Sequence, residues 1–150
     1  MKILKYALIV LFAVGMMSCG SSGGGGDDTD TEAPTISVTS PMAITVVDAG
    51  TNLAVSFTAE DNVAVESYVL TVAYSGAKST KVVVEFSFNS ASDTDASGNA
   101  VPSISGASSS VNFQMAIADD AKPGMYKMVI KVTDTSDNIS AAKEVTFEIK

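Results

Sequence analysis

Two short runs concentrate the oxygen donors of this chain, Glu60-Asp61-Asn62 and Asp134-Thr135-Ser136-Asp137-Asn138. Each sets carboxylates beside a carboxamide, and Asp30 and Glu32 add two acids nearer the N-terminus. Carboxylates and amide carbonyls without nitrogen or sulfur ligands suit a hard cation, Ca²⁺ before Mg²⁺. No lysine or arginine occurs between Asp27 and Ala77, so the neutralising charge would come from Lys143 or from a bound ion. The same residue types also open turns by bonding their own backbone, which is the plainer reading of either run alone. The candidate metal set is therefore Asp30, Glu32, Glu60, Asp61, Asn62, Asp134, Asp137 and Asn138, with Ca²⁺ the one cofactor suggested.

A third acidic run, Asp93-Thr94-Asp95-Ala96-Ser97-Gly98-Asn99, lies in a connection from Asn89 to Gly106 that is long for a compact domain. It resembles the opening of a calcium loop with ligands at alternate positions and glycine at the sixth. The twelfth position, where a bidentate glutamate belongs, is Ile104, which favours a polar connecting loop.

Other chemistry is narrowly bounded. The sequence contains no histidine and a single cysteine, Cys19, which removes Ser-His-Asp and Cys-His catalysis, imidazole metal sites and any intrachain disulfide. Asp119 and Asp120 are adjacent residues before Pro123 and read as a solubilising turn, not an acid-base pair, so no enzyme is expected. From Cys19 onward the chain holds seven lysines, no arginine and seventeen acids, a formal charge of −10. Such a surface repels nucleic acid and anionic headgroups.

Lys2 and Lys5 precede an apolar run from Ala7 to Val14 that is too short to span a bilayer permanently, the pattern of a signal peptide over 1–18. The following Met16-Met17-Ser18-Cys19-Gly20 resembles a bacterial lipobox, which implies lipidation at Cys19 and anchoring of the protein to a membrane by acyl chains. From Gly20 to Glu32 the sequence GSSGGGGDDTDTE has no apolar side chain to bury. Residues 19–33 thus read as lipidated cysteine plus flexible tether, with an end-to-end distance of about 20 Å. The acids soon after the cysteine are similar to an export signal of some outer-membrane lipoproteins, which implies an outer-membrane location at the cell surface or the periplasmic face.

The elements that must position the acidic runs are strands. From Pro34 to Lys150 apolar residues step by two between turn-forming clusters. Ile36 and Val38, continued by Ile44 and Val46, mark the first strand; Leu53 to Ala59 the second; Tyr68 to Tyr74 the third; Val82 to Phe88 the fourth. Val111 to Ile117, Tyr126 to Val132 and Val145 to Ile149 mark the last three. One apolar face per strand predicts two sheets packed face to face, an all-β sandwich of about seven strands over 34–150.

The run Asp119-Asp120-Ala121-Lys122-Pro123-Gly124-Met125-Tyr126 and the strand to Asp134 resemble the penultimate turn and strand of bacterial immunoglobulin-like and cadherin-like modules. The resemblance, to small and largely uncharacterised lipoprotein domains, implies an immunoglobulin-like fold and a corner closed by the Tyr126 hydroxyl on backbone. In that topology the second-to-third loop, the sixth-to-seventh loop and the start of the first strand share one end, so the candidate metal residues would meet at one pole. Such modules imply binding, adhesion or accessory roles at the cell envelope, with an envelope protein or glycan as partner. The alternative is an assembly subunit that pairs through an exposed edge strand, for which Val82 to Phe88 is the candidate.

Overall fold

The structure, a computed structural model, describes residues 29–76 and 84–150. The signal peptide, Cys19, most of the tether and Val82 lie outside the described residues. The described chain is all β, with strands β1 (Thr35–Ser40), β2 (Thr45–Val47), β3 (Asn52–Tyr74), β4 (Phe88–Asn89), β5 (Gly106–Ala116), β6 (Gly124–Asp134) and β7 (Lys143–Ile149). Among these residues no helix is long and apolar enough to cross a membrane.

The second and third strands of the sequence reading form one strand, the 23-residue β3. Its first half pairs antiparallel with β1 through Val38↔Phe57 and with β5 through Val55↔Phe113. Its second half pairs with β6 through Leu70↔Ile130 and with β4 through Val72↔Phe88. The β5 register breaks between Glu60 and Val65, and there the strand leaves one layer and enters the other. Phe57 and Tyr68, from the two halves, meet edge to face with ring centroids 5.1 Å apart. The sheet order β1-β3-β6-β7-β2, with β2 parallel to β7, therefore curls into a sandwich.

The alternating apolar positions fill its interior. Leu53, Val55, Phe57 and Ala59 of β3, Val111, Phe113 and Met115 of β5, and Tyr126, Met128, Ile130 and Val132 of β6 are all buried, as are Phe147 and Ile149 of β7. The first strand departs from expectation: after Pro41 the chain crosses to the other layer and pairs with β7 as a separate strand, β2. This crossing inverts the phase, so Ile44 and Val46 face solvent and Val47 packs against the core. The fourth strand shrinks within the described residues to Phe88–Asn89, although Phe86 and Phe88 are buried as their phase implied.

The turn before β6 closes as the tyrosine corner requires. Tyr126 Oη donates to the Lys122 carbonyl at 2.7 Å and accepts from the Phe86 amide at 3.3 Å. Lys122 lies 3.6 Å from the Tyr74 ring centroid and pairs with Glu85 at 3.4 Å. On the outer face Lys127 pairs with Glu144 at 2.9 Å, an exposed contact worth a few tenths of a kcal/mol.

Candidate metal centre

The break in β3 and the β6–β7 turn are each built around an aspartate. Where the β3 ladder lapses, Asp61 Oδ2 accepts from the amides of Val63 and Ala64, both at 2.9 Å, which satisfies donors that no strand partner reaches. In the β6–β7 turn Asp134 Oδ1 accepts from the amides of Ser136 and Asn138, both at 2.8 Å, and Oδ2 accepts from the Asn138 side chain at 2.8 Å. Asp137 takes the left-handed conformation, φ 66, that lets this turn close. The two turns are joined by the Thr135 amide donating to the Ala64 carbonyl at 3.1 Å.

Asp30, read in the sequence as part of the tether, is bound to both turns. Its Oδ1 accepts from the Asn62 side chain at 3.0 Å and from the Glu32 amide at 3.0 Å, while its backbone carbonyl accepts from the Asn138 side chain at 3.0 Å. Three segments far apart in sequence thus converge at one end of the sandwich. One carboxylate oxygen each from Asp30, Asp61 and Asp134 lies within 4.8 Å of the others. No ion pair among the described residues reaches this cluster.

Asp30 and Asp61 share an unusual feature. Each has one oxygen bonded by the protein, whereas Asp30 Oδ2 and Asp61 Oδ1 have under 1 Å² of exposed surface and no hydrogen-bond partner. Water cannot solvate an anionic oxygen so placed, and leaving it without a donor or cation is costly. Asp134 is itself fully buried. Burial pushes its carboxyl pKa up, but the bonds from the Asn138 side chain, the Asn138 amide and the Ser136 amide outweigh this and hold it below the ordinary value.

The other members of the candidate set sit around this centre. Asn62 and Asn138 turn their amide nitrogens toward the acids and act as braces. Glu32, Glu60 and Asp137 are exposed. Beside the centre, a cleft of about 350 Å³ is lined by Thr29, Asp30, Thr31, Glu32, Asn62 and Val63. Val63, in the Asp61 turn, and Ile139, which follows the Asp134 turn and bridges Thr133, are exposed apolar residues.

The third acidic run does not gather a second such centre among the described residues. Asp95 Oδ1 accepts from the amides of Ser97 and Asn99, Gly98 adopts φ 82, and Thr94 bridges Ala100, which closes a turn that the Ala96 amide docks on the Gln114 carbonyl of β5 at 2.7 Å. Ile104 is buried in the core.

Sequence reasoning missed one further cleft, of about 190 Å³, lined by Glu66, Ser67, Tyr68, Ser90, Val101, Pro102, Ser103 and Ile104. The Tyr68 hydroxyl is buried without a partner, and burial pushes its pKa up to about 12. The period-two pattern marked Tyr68 as core, and nothing in that pattern shows a hydroxyl left unsatisfied.

The fold is that of an immunoglobulin-like β-sandwich, with an acidic end built from three segments. The chain belongs to the family described as a domain of unknown function (DUF4625), whose model matches residues 19–150. The chain resembles the SrpA adhesin of Streptococcus sanguinis (R347E mutant), with TM-score 0.50 and 15% identity over 81% of this chain and 60% of that one. It also matches the fibronectin(III)-like modules of Clostridium thermocellum CbhA, with TM-score 0.48 and 16% identity over 79% of this chain and 47% of that one. At these identities the likeness is one of fold, and the chain spans about three fifths of the first structure's length and about half of the second's. No curated protein matches the chain.

Proposed function

We propose that this protein is a non-enzymatic binding module of the cell envelope, held on the membrane by lipid at Cys19 and engaging its partner through the acidic pole. The observation that carries the reading is the cross-tying of three segments by Asp30, Asn62 and Asn138, which holds the recognition loops in one arrangement before any partner arrives. A preorganised loop surface on a rigid β framework pays less ordering entropy on binding. The cleft beside Asp30 and the exposed Val63 and Ile139 add a recess and two apolar contacts to a surface otherwise rich in carboxylates. An envelope protein or a glycan is the class of partner that a lipid-anchored module meets. The edge-pairing alternative draws less support, because the described part of its candidate strand pairs over two residues only.

Two measurements test this reading. Cells labelled with a radioactive fatty acid should incorporate label into the wild-type protein and none into Cys19→Ser, since acylation needs the thiol; equal label on both removes the anchor. Panels of envelope glycans and purified envelope proteins should retain the mature protein, and retention should fall at least tenfold in the double variant Val63→Ser/Ile139→Ser. Both side chains are more than half exposed, so the variant keeps its core. Retention unchanged by the double variant would place recognition elsewhere on the domain.

A further inference from the structure

We infer that Asp30, Asp61 and Asp134 bind one calcium ion, which clasps the segment preceding β1 onto the two turns at that end of the sandwich. The inference does not rest on the binding role proposed above. It starts from the mutual spacing of the three carboxylates: oxygens bound to one Ca²⁺ at 2.3–2.6 Å lie at most about 5 Å apart, and the three oxygens here fall within 4.8 Å.

The second observation is independent of that spacing. Every hydrogen bond given to the Asp30 and Asp61 carboxylates goes to one oxygen of each, and the remaining oxygen of each is sealed from solvent with nothing to bond. Turn formation alone explains the bonded oxygens. It does not explain why the second oxygen is buried at both residues, nor why three carboxylates that repel one another are held together by amide braces from Asn62 and Asn138. A cation answers both points, for it supplies the missing partner and cancels the repulsion. The donors are all oxygen, which selects a hard ion, and an irregular set of carboxylates suits calcium, which accepts varied coordination, better than magnesium, which demands a near-ideal octahedron.

The clasp has a consequence for geometry on the membrane. Asp30 stands eleven residues beyond Cys19, and without the ion it is held at the pole only by hydrogen bonds with the Asn62 and Asn138 side chains. Calcium would fix where the tether ends and the rigid body begins, and so set the orientation of the domain relative to its anchor.

The test uses the mature chain in detergent after removal of metal with EDTA. Calorimetric titration with CaCl₂ should show saturable binding of one ion per chain. Thermal melts should shift upward with Ca²⁺, less with Mg²⁺, and not with NaCl at matched ionic strength. Asp61→Asn retains an oxygen for the Val63 and Ala64 amides while removing the charge; it and Asp30→Asn should each weaken calcium binding at least tenfold, and Asp95→Asn should not. Cleavage after Glu32 by a glutamate-specific protease should slow when calcium is added. Coincident wild-type melts in EDTA, Ca²⁺ and NaCl overturn the inference even if no variant folds. A calcium response that survives in Asp61→Asn overturns the assigned ligands, and a stronger response to Mg²⁺ overturns the assigned ion.

Discussion

Replacing Tyr126 by Phe is expected to destabilise the domain by about 1–3 kcal/mol while leaving its shape unchanged. The ring is fully buried, stacked on Phe147 at 5.9 Å and edge-on to Tyr74 at 5.3 Å, and phenylalanine preserves both contacts. What it removes is the hydroxyl that donates to the Lys122 carbonyl and accepts from the Phe86 amide. These two backbone groups come from different connections, so the hydroxyl pins the chain entering β4 to the turn entering β6. Each group would be left unpaired in a place that water reaches poorly, and the penalty is that of desolvation without compensation. For a domain of this size the melting temperature should fall by roughly 4–12 °C. Urea unfolding should show a lower midpoint at an unchanged slope. A loss below about 0.5 kcal/mol would mean that water replaces the hydroxyl without penalty.

Gly124→Ala is expected to cost about 2–4 kcal/mol, through backbone strain and a steric collision together. Gly124 opens β6 with φ 137, a conformation that residues with a side chain seldom adopt. A Cβ built there would lie 2.9 Å from Tyr74 Cε2 and 3.1 Å from its hydroxyl. Tyr74 cannot easily yield, because its ring packs on Tyr126 and is covered by Lys122. Gly98→Ala is the control: its φ is 82 with open space where the Cβ would stand, so only backbone strain, about 1–2 kcal/mol, should appear. Chemical denaturation of the two variants compares strain alone at Gly98 with strain plus collision at Gly124. Equal losses would show that Tyr74 moves aside freely.

Both substitutions lie in the run from Asp119 to Tyr126, the segment that is most legible in the sequence. A Pro-Gly turn followed by tyrosine and a period-two strand specifies its structure locally, and the corner forms as that pattern implies. Strands whose inward residues alternate cleanly, such as Val111 to Met115 and Tyr126 to Val132, are buried where the alternation placed them. The strand count agrees with the sequence reading through two offsetting differences. The Asp61 turn interrupts the pairing only between Glu60 and Val65, so two strands join into β3, while the crossing after Pro41 divides one strand into β1 and β2. Periodicity reports which face of a segment is apolar; it does not report which neighbour the segment pairs with, and so it misassigned Ile44 and Val46.

At the acidic pole the same division holds. Residue type and order alone determined the all-oxygen chemistry, the shortage of nearby positive charge and the topological reason for the three segments to meet. Which atoms would face an ion was decided only by tertiary structure. Asp30, Asp61 and Asp134 approach one another because β3 bends at Glu60–Val65 and the Asp134 turn docks on it through Thr135 and Ala64. Asn62 and Asn138 become braces because their amide nitrogens, not their carbonyls, meet the acids, while Glu32, Glu60 and Asp137 remain exposed. A sequence specifies the donors a side chain carries, whereas the direction in which each donor points is set by contacts between residues as far apart as Asp30 and Asn138, and those exist only once the sandwich has closed.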